Sequence, residues 1–175
     1  YTCTFSAQYF ADPTDAGSPH ASDNWRCELW PADNVATGTV STDTVEMSSL
    51  IALDVTASIA YGSVNANADT GASNQTTTLT NTGNRDMDPE LSGAAMTDGG
   101  SGTIAASQQK YGATGFTYSS GGTALSGTPV TFDITLPQRT AGVITDDVLW
   151  GLGVPNGTVN GSYTGSNTIT AVAGL

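Results

Sequence analysis

Short runs in which apolar and polar residues alternate, many of them built on Thr and Val, recur along the chain between turns rich in Gly, Asn, Asp and Ser. Side chains two apart on an extended backbone share a face, so this spacing suits a pleated surface half in contact with a core. Helices have little to form from, because Glu, Lys and Arg are rare while Gly and Pro recur. The fold class is therefore all-β. The pattern predicts strands at Cys3 to Phe10, Trp25 to Trp30, Thr44 to Met47, Leu53 to Ala60, Thr76 to Thr82, Pro89 to Ser92, Gly115 to Tyr118, Val130 to Leu136, Val148 to Val154 and Asn167 to Val172, as in a sandwich.

Two of these runs carry the most detail. In Val130-Thr131-Phe132-Asp133-Ile134-Thr135-Leu136 the alternation is unbroken, which turns Val130, Phe132, Ile134 and Leu136 toward a core and Thr131, Asp133 and Thr135 toward water. In the run from Asp147 to Pro155, Gly151 and Gly153 flank Leu152 and leave room for a large neighbour to pack, and Pro155 ends the ladder because it has no N–H.

The first 47 residues read differently from the rest. They hold both cysteines, the single His, Trp25 and Trp30, and every proline before Pro89. Such a segment, with two or three strands, buries too little apolar area to stand alone, so it must dock on the 48–175 sandwich or have its strand edges completed by another chain. Cys3 and Cys27, with no CxxC pair and one His beside them, point to a disulfide over a metal site, the alternative being two buried free thiols. Closing a loop of about 25 residues would contribute on the order of 3 kcal/mol. The chain starts at Tyr1 without a basic-then-apolar leader, which reads as a processed product or a piece of something longer.

Charge excludes whole classes of partner. Four Lys plus Arg stand against sixteen Asp plus Glu, a net charge of -12, and Arg26, Arg85, Lys110 and Arg139 are scattered singly. Phosphate recognition needs clustered cations, so nucleic acid is not expected as a partner. An anionic membrane surface repels such a chain, and no apolar run approaches the roughly 20 residues of a spanning helix, so membrane insertion is not expected either. The surplus of Thr, Ser, Gly and Asn and the scarcity of Lys point to an extracellular or cell-surface location.

From Ile51 onward three motifs stand in order: Tyr61-Gly62-Ser63-Val64, the turn Asn81-Thr82-Gly83-Asn84, and Val154-Pro155-Asn156-Gly157-Thr158 followed by Gly161-Ser162-Tyr163-Thr164-Gly165. Together they resemble the immunoglobulin-like modules repeated in secreted bacterial and archaeal surface proteins. The resemblance covers roughly 120 residues and implies a β-sandwich in which these stretches are an early strand, a central turn and a closing hairpin. The first 35 residues are similar to the closing strands of a preceding module, with Trp25 and Trp30-Pro31-Ala32-Asp33 as its final strand. Read without the family, Asn81 to Asn84 offers Gly and Asn where a strand end needs positive φ, and Asn160-Gly161 between β formers signals a tight hairpin.

Residues suited to chemistry are few. His20 lies in a Pro/Ser/Gly loop, and with no G-x-S-x-G in the chain it reads as a solvated side chain, so no enzymatic activity is expected. Asp86, Asp88 and Glu90 occupy alternate positions and could present three oxygens to Ca²⁺, the one cofactor considered; a charged, solvated turn is the plain alternative. Asp12 and Asp15 are a weaker pair of the same kind. Trp150 sits among aliphatic residues and reads as core, whereas Trp25 and Trp30, five apart and on opposite faces of one strand, are candidate interface or ligand aromatics. Asn74, Asn156 and Asn160 fit the glycosylation acceptor pattern and mark surface turns.

Two functions are consistent with these features. One is a structural subunit of an extracellular filament or surface assembly, its copies joined by strand-edge contacts. The other is an adhesion or carbohydrate-binding module of a larger cell-surface protein, with glycans or other surface proteins as partners.

Overall fold

The computed structural model describes residues 4, 6–56 and 58–174. Among them the regular elements are strands and one 3-10 turn at Ala106–Gln108. The strands are β1 Trp25–Leu29, β2 Ser41–Val45, β3 Leu53–Val55, β4 Ala68–Asp69, β5 Gln75–Asn81, β6 Met87–Gly93, β7 Met96–Thr97, β8 Thr103–Ile104, β9 Gln109–Gly112, β10 Thr123–Ala124, β11 Val130–Thr131, β12 Thr145–Val154 and β13 Asn167–Ala173. The larger sheet runs β10-β9-β12-β5-β3, with β4 beside the end of β12, and the smaller runs β11-β6-β13. Two small sheets, β1-β2 and β7-β8, complete the set.

The two main sheets share one core, as a sandwich does. Leu79, Tyr111, Val148 and Trp150 come from the larger sheet and Met87 and Leu91 from the smaller, with Leu125 and Leu136 between. Strand β5 shows how the sequence arranges this: Thr77, Leu79 and Asn81 are buried, while Thr76, Thr78 and Thr80 lie on the other face. Thr77 belongs inside because its Oγ1 accepts the Trp150 indole N–H at 3.0 Å, pairing a donor that burial would otherwise strand.

The outer face of β12 is where its glycines matter. A Cβ on Gly153 would stand 2.6 Å from the Tyr118 ring, and one on Gly151 would meet Phe116 and Tyr118 at 3.2–3.3 Å. Gly115 to Tyr118, expected as a strand, is instead a loop laid over this face. The Phe116 N–H donates to Asn74 Oδ1 at 2.9 Å and the Tyr118 N–H to the Gly71 carbonyl at 2.8 Å, so neither enters a ladder.

The alternation from Val130 to Leu136 predicts the facing of Phe132, Ile134 and Leu136, which turn inward, but not that of Val130, which is 45% exposed on the edge strand of the smaller sheet, and the strand stops after Thr131. The cause is in its partner. Phe132 N–H donates to the Pro89 carbonyl at 2.8 Å, and Pro89 has no N–H to return the bond. The chain then bulges: the steps from Phe132 to Leu136 outnumber those from Pro89 to Met87 on β6, before Met87 and Leu136 exchange bonds. Within the bulge Thr135 sits at φ +44°, and the fully buried Asp88 carboxylate accepts the N–H groups of Ile134 (3.3 Å) and Thr135 (2.8 Å). Asp88→Ala would leave these donors unpaired and should cost about 2–4 kcal/mol in urea unfolding, whereas Asp88→Asn, which keeps an acceptor oxygen, should cost less than half as much. Equal losses for the two variants would contradict this role.

Both expected turns differ in mechanism. No residue from Asn81 to Asn84 has positive φ; Gly83 is required because a Cβ there would lie 2.2 Å from the Leu50 carbonyl oxygen. The closing hairpin is a crossover. Strand β12 already pairs with β5 on one edge and β9 on the other, so β13 passes to the smaller sheet and pairs with β6. The tight turn falls at Pro155 to Thr158, where Gly157 takes φ +79°, and not at Asn160-Gly161.

Candidate functional site

The N-terminal segment docks on the sandwich through buried amides. Asn84, 1% exposed, donates from Nδ2 to the carbonyls of Ala11 and Ser48, both at 3.1 Å, and accepts the Leu50 N–H at 2.6 Å. Thr14 and Met47 exchange bonds of 2.8 Å, Gln138 Nε2 reaches the Phe10 carbonyl and Asp12, and the Arg139 guanidinium lies 4.6 Å from the Phe10 ring centroid while donating to Tyr9 Oη. Asp15 accepts the hydroxyl and N–H of Ser49, and these bonds hold its carboxyl below the usual carboxylate range. The tandem Asn81 is equally buried and donates to the carbonyls of Arg85, Leu136 and Pro137, closing the same end of the sandwich.

Beyond this docked stretch stands the β1-β2 ribbon. Its register places Trp25 opposite Val45 and Leu29 opposite Ser41, and all four are exposed. Trp25 is 41% exposed, its indole N–H donating to the Asp12 carbonyl; Trp30, just past β1, is 63% exposed and donates to Glu28, which also pairs with Arg26. Both candidate aromatics thus present ring surface to solvent. Cys27 is half-buried in β1 and in no disulfide among the described residues. Cys3 lies outside the described residues, as does part of the expected strand Cys3 to Phe10, whose described members form no strand.

The carboxylates expected on one face are engaged separately. Asp86 is exposed and accepts the Gln138 N–H at 2.6 Å, Asp88 is buried beneath the β11 bulge, and Glu90 is half-buried, 3.5 Å from the Thr131 hydroxyl. Among the described residues no three His, Cys, Asp or Glu come together as a metal would require. His20 is exposed with Asp23 at 3.4 Å.

Two open clefts of about 570 and 830 Å³ flank the segment 58–66. Ile59, Tyr61, Met96 and Tyr163 line both, and among the described residues no charged side chain lines either. The Tyr61 hydroxyl donates to the buried Gln109, which is joined in turn to Asn167, and burial, with Tyr118 second, pushes that phenol well above its ordinary range and keeps it a neutral donor. The Tyr61-Gly62-Ser63-Val64 motif thus forms a cleft wall.

No protein-family model, curated protein or solved structure matches the chain. Function therefore rests on the geometry above. No helix among the described residues is long and apolar enough to cross a membrane. The sequence marks Trp25 and Trp30 as candidate site residues and Asn84 only as part of a turn, while nothing around Gln138 and Arg139 signals their contacts with Phe10, Asp12 and Tyr9.

Proposed function

We propose that this chain is a structural subunit of an extracellular filament or surface assembly, non-enzymatic, whose copies join through strand edges. The observation that carries the reading is the β1-β2 ribbon. It belongs to neither sheet of the sandwich and exposes Trp25, Leu29, Trp30 and Val45. A two-stranded ribbon is marginal in water, and a further strand from a neighbour would pair its open edges and cover those side chains. Two antiparallel sheets linked by the crossings β5 to β6 and β12 to β13 support the immunoglobulin-like kinship, and a Cys3–Cys27 bond would brace the ribbon in an oxidising compartment. The exposure of Trp25 and Trp30 also favours the second reading, a glycan-binding adhesion module, since such rings stack on sugars.

Light scattering with negative-stain imaging separates the two. The assembly reading predicts elongated particles that grow with protein concentration and shorten in the double variant Trp25→Ser, Trp30→Ser. A monodisperse 17.7 kDa species at every concentration, with neutral oligosaccharides bound by the parent and not by the double variant, would replace it with the adhesion reading.

A further inference from the structure

We propose a second self-contact, resting on the assembly reading: strand β13 pairs antiparallel with β13 of a second copy about a two-fold axis through Thr170. Strand β13 is an edge of the smaller sheet, with β6 on one side and no described strand on the other. The bonds from Ala94 N–H to the Ser166 carbonyl and from Gly174 N–H to the Asp86 carbonyl fix the phase of the ladder. Residues 168, 170 and 172 bond to β6, so the N–H and C=O groups of Asn167, Ile169, Ala171 and Ala173 point to the open side. Beside this edge Asn167 and Ile169 open onto the charge-free cleft of about 570 Å³.

Charge selects a second copy as the occupant. Molecules of net charge -12 repel, so a surface that carries no charge is the one on which a second copy is held back least. The seven residues of β13 carry no charge, no proline and no bulge, the devices that usually protect an edge. The other sheet edges are poorer templates: β3 has three residues including Asp54, β10 and β11 have two each, and the ribbon carries Arg26, Glu28 and Asp43. Antiparallel pairing of a strand with itself is self-complementary, as a two-fold contact requires. With the axis at Thr170, Asn167 faces the second copy's Ala173 and Ile169 its Ala171, so every outward N–H finds a carbonyl; Ile169 against Ala171 continues the core side, and Thr170 meets its own mate. A two-fold contact here and a different contact at the ribbon alternate along an open chain, which is how a filament grows.

The test is a cysteine placed on the axis in the full chain. In a non-hydrogen-bonded antiparallel pair the Cα atoms stand about 4.5 Å apart, within the range of about 4.4–6.8 Å that a disulfide spans. Thr170→Cys should form a covalent dimer under mild oxidation, with a peptide disulfide-linked through position 170 of both copies identified by mass spectrometry. Thr168→Cys should not, because its mates would lie four residue steps, about 13 Å, apart. Ala171→Pro, which removes an outward donor and no bond to β6, should lower the particle mass at least two-fold in light scattering with the circular dichroism spectrum unchanged. If the parent chain associates but Thr170→Cys gives no such peptide, or Thr168→Cys cross-links as readily, the β13 contact is wrong and the assembly reading stands. If the parent chain stays at 17.7 kDa at the highest concentration, both fall.

Discussion

Trp150→Ala is expected to cost about 4 kcal/mol in urea unfolding, the largest loss from any single truncation in this chain. Trp150 is fully buried, lies 5.9 Å from the Tyr111 ring centroid, and sits at the centre of the larger sheet, on the strand that β5 and β9 both pair with. Its removal leaves a cavity lined from both sheets and unpairs the Thr77 hydroxyl. Trp150→Phe keeps most of the volume and loses the indole bond, so about 1–2 kcal/mol is expected. A loss under about 1 kcal/mol for the alanine variant would mean that the sheets do not share this core.

Asn84→Ala should cost about 3 kcal/mol, by a different route, since it leaves the Ala11 and Ser48 carbonyls and the Leu50 N–H without their partner in a buried position. The loss should be local. Limited proteolysis should cut between residues 9 and 23 of the variant at denaturant concentrations where the sandwich is intact, and Trp150→Ala should show no such separation. Asn84→Asp should rescue nothing, because a carboxylate would face two carbonyl oxygens in place of the amide that donates to them. Cooperative loss of ribbon and sandwich together in Asn84→Ala would contradict the docking described above.

How far the fold could be read from residues depended on whether a segment's own chemistry decided its fate. Strands β5, β6, β12 and β13 were legible because core-facing apolar residues recur at alternate positions in them, and β1 was legible from the alternation of Trp25, Cys27 and Leu29 although it joins neither main sheet. Strand β9 was hidden by Gln109, a polar residue buried in a core strand because Tyr61 and Asn167 complete its bonds from far along the chain. The two-residue strands β4, β7, β8 and β10 are too short for a period to show. The break after Thr131 was invisible in its own segment, since the missing N–H belongs to Pro89 on the neighbouring strand. Asn160-Gly161 misled because a hairpin needs a free edge, and both edges of β12 are occupied.

The same limit applies to the candidate site. The spacing of Trp25 and Trp30 puts them on opposite faces of one strand and so predicts exposure for at least one; both are exposed because the ribbon packs on neither main sheet. That Asp88 would be covered did not follow, because the bulge above it is set by Pro89. The importance of β13 was likewise unreadable: which strand lies at a sheet edge is a property of topology, and nothing in Asn167 to Ala173 alone distinguishes an edge from a centre.

The central claim is that copies of this chain meet through strand edges, and residue-resolved amide hydrogen exchange at low and high protein concentration tests it most directly. In dilute solution the outward amides of Ile169, Ala171 and Ala173 should exchange quickly while those of Thr168, Thr170 and Val172, bonded to β6, are protected. As concentration rises, outward edge amides should become protected at least ten-fold and the inward ones should not change. Particles that grow while every edge amide, in β13 and in the ribbon, exchanges as fast as before would contradict assembly through strand edges.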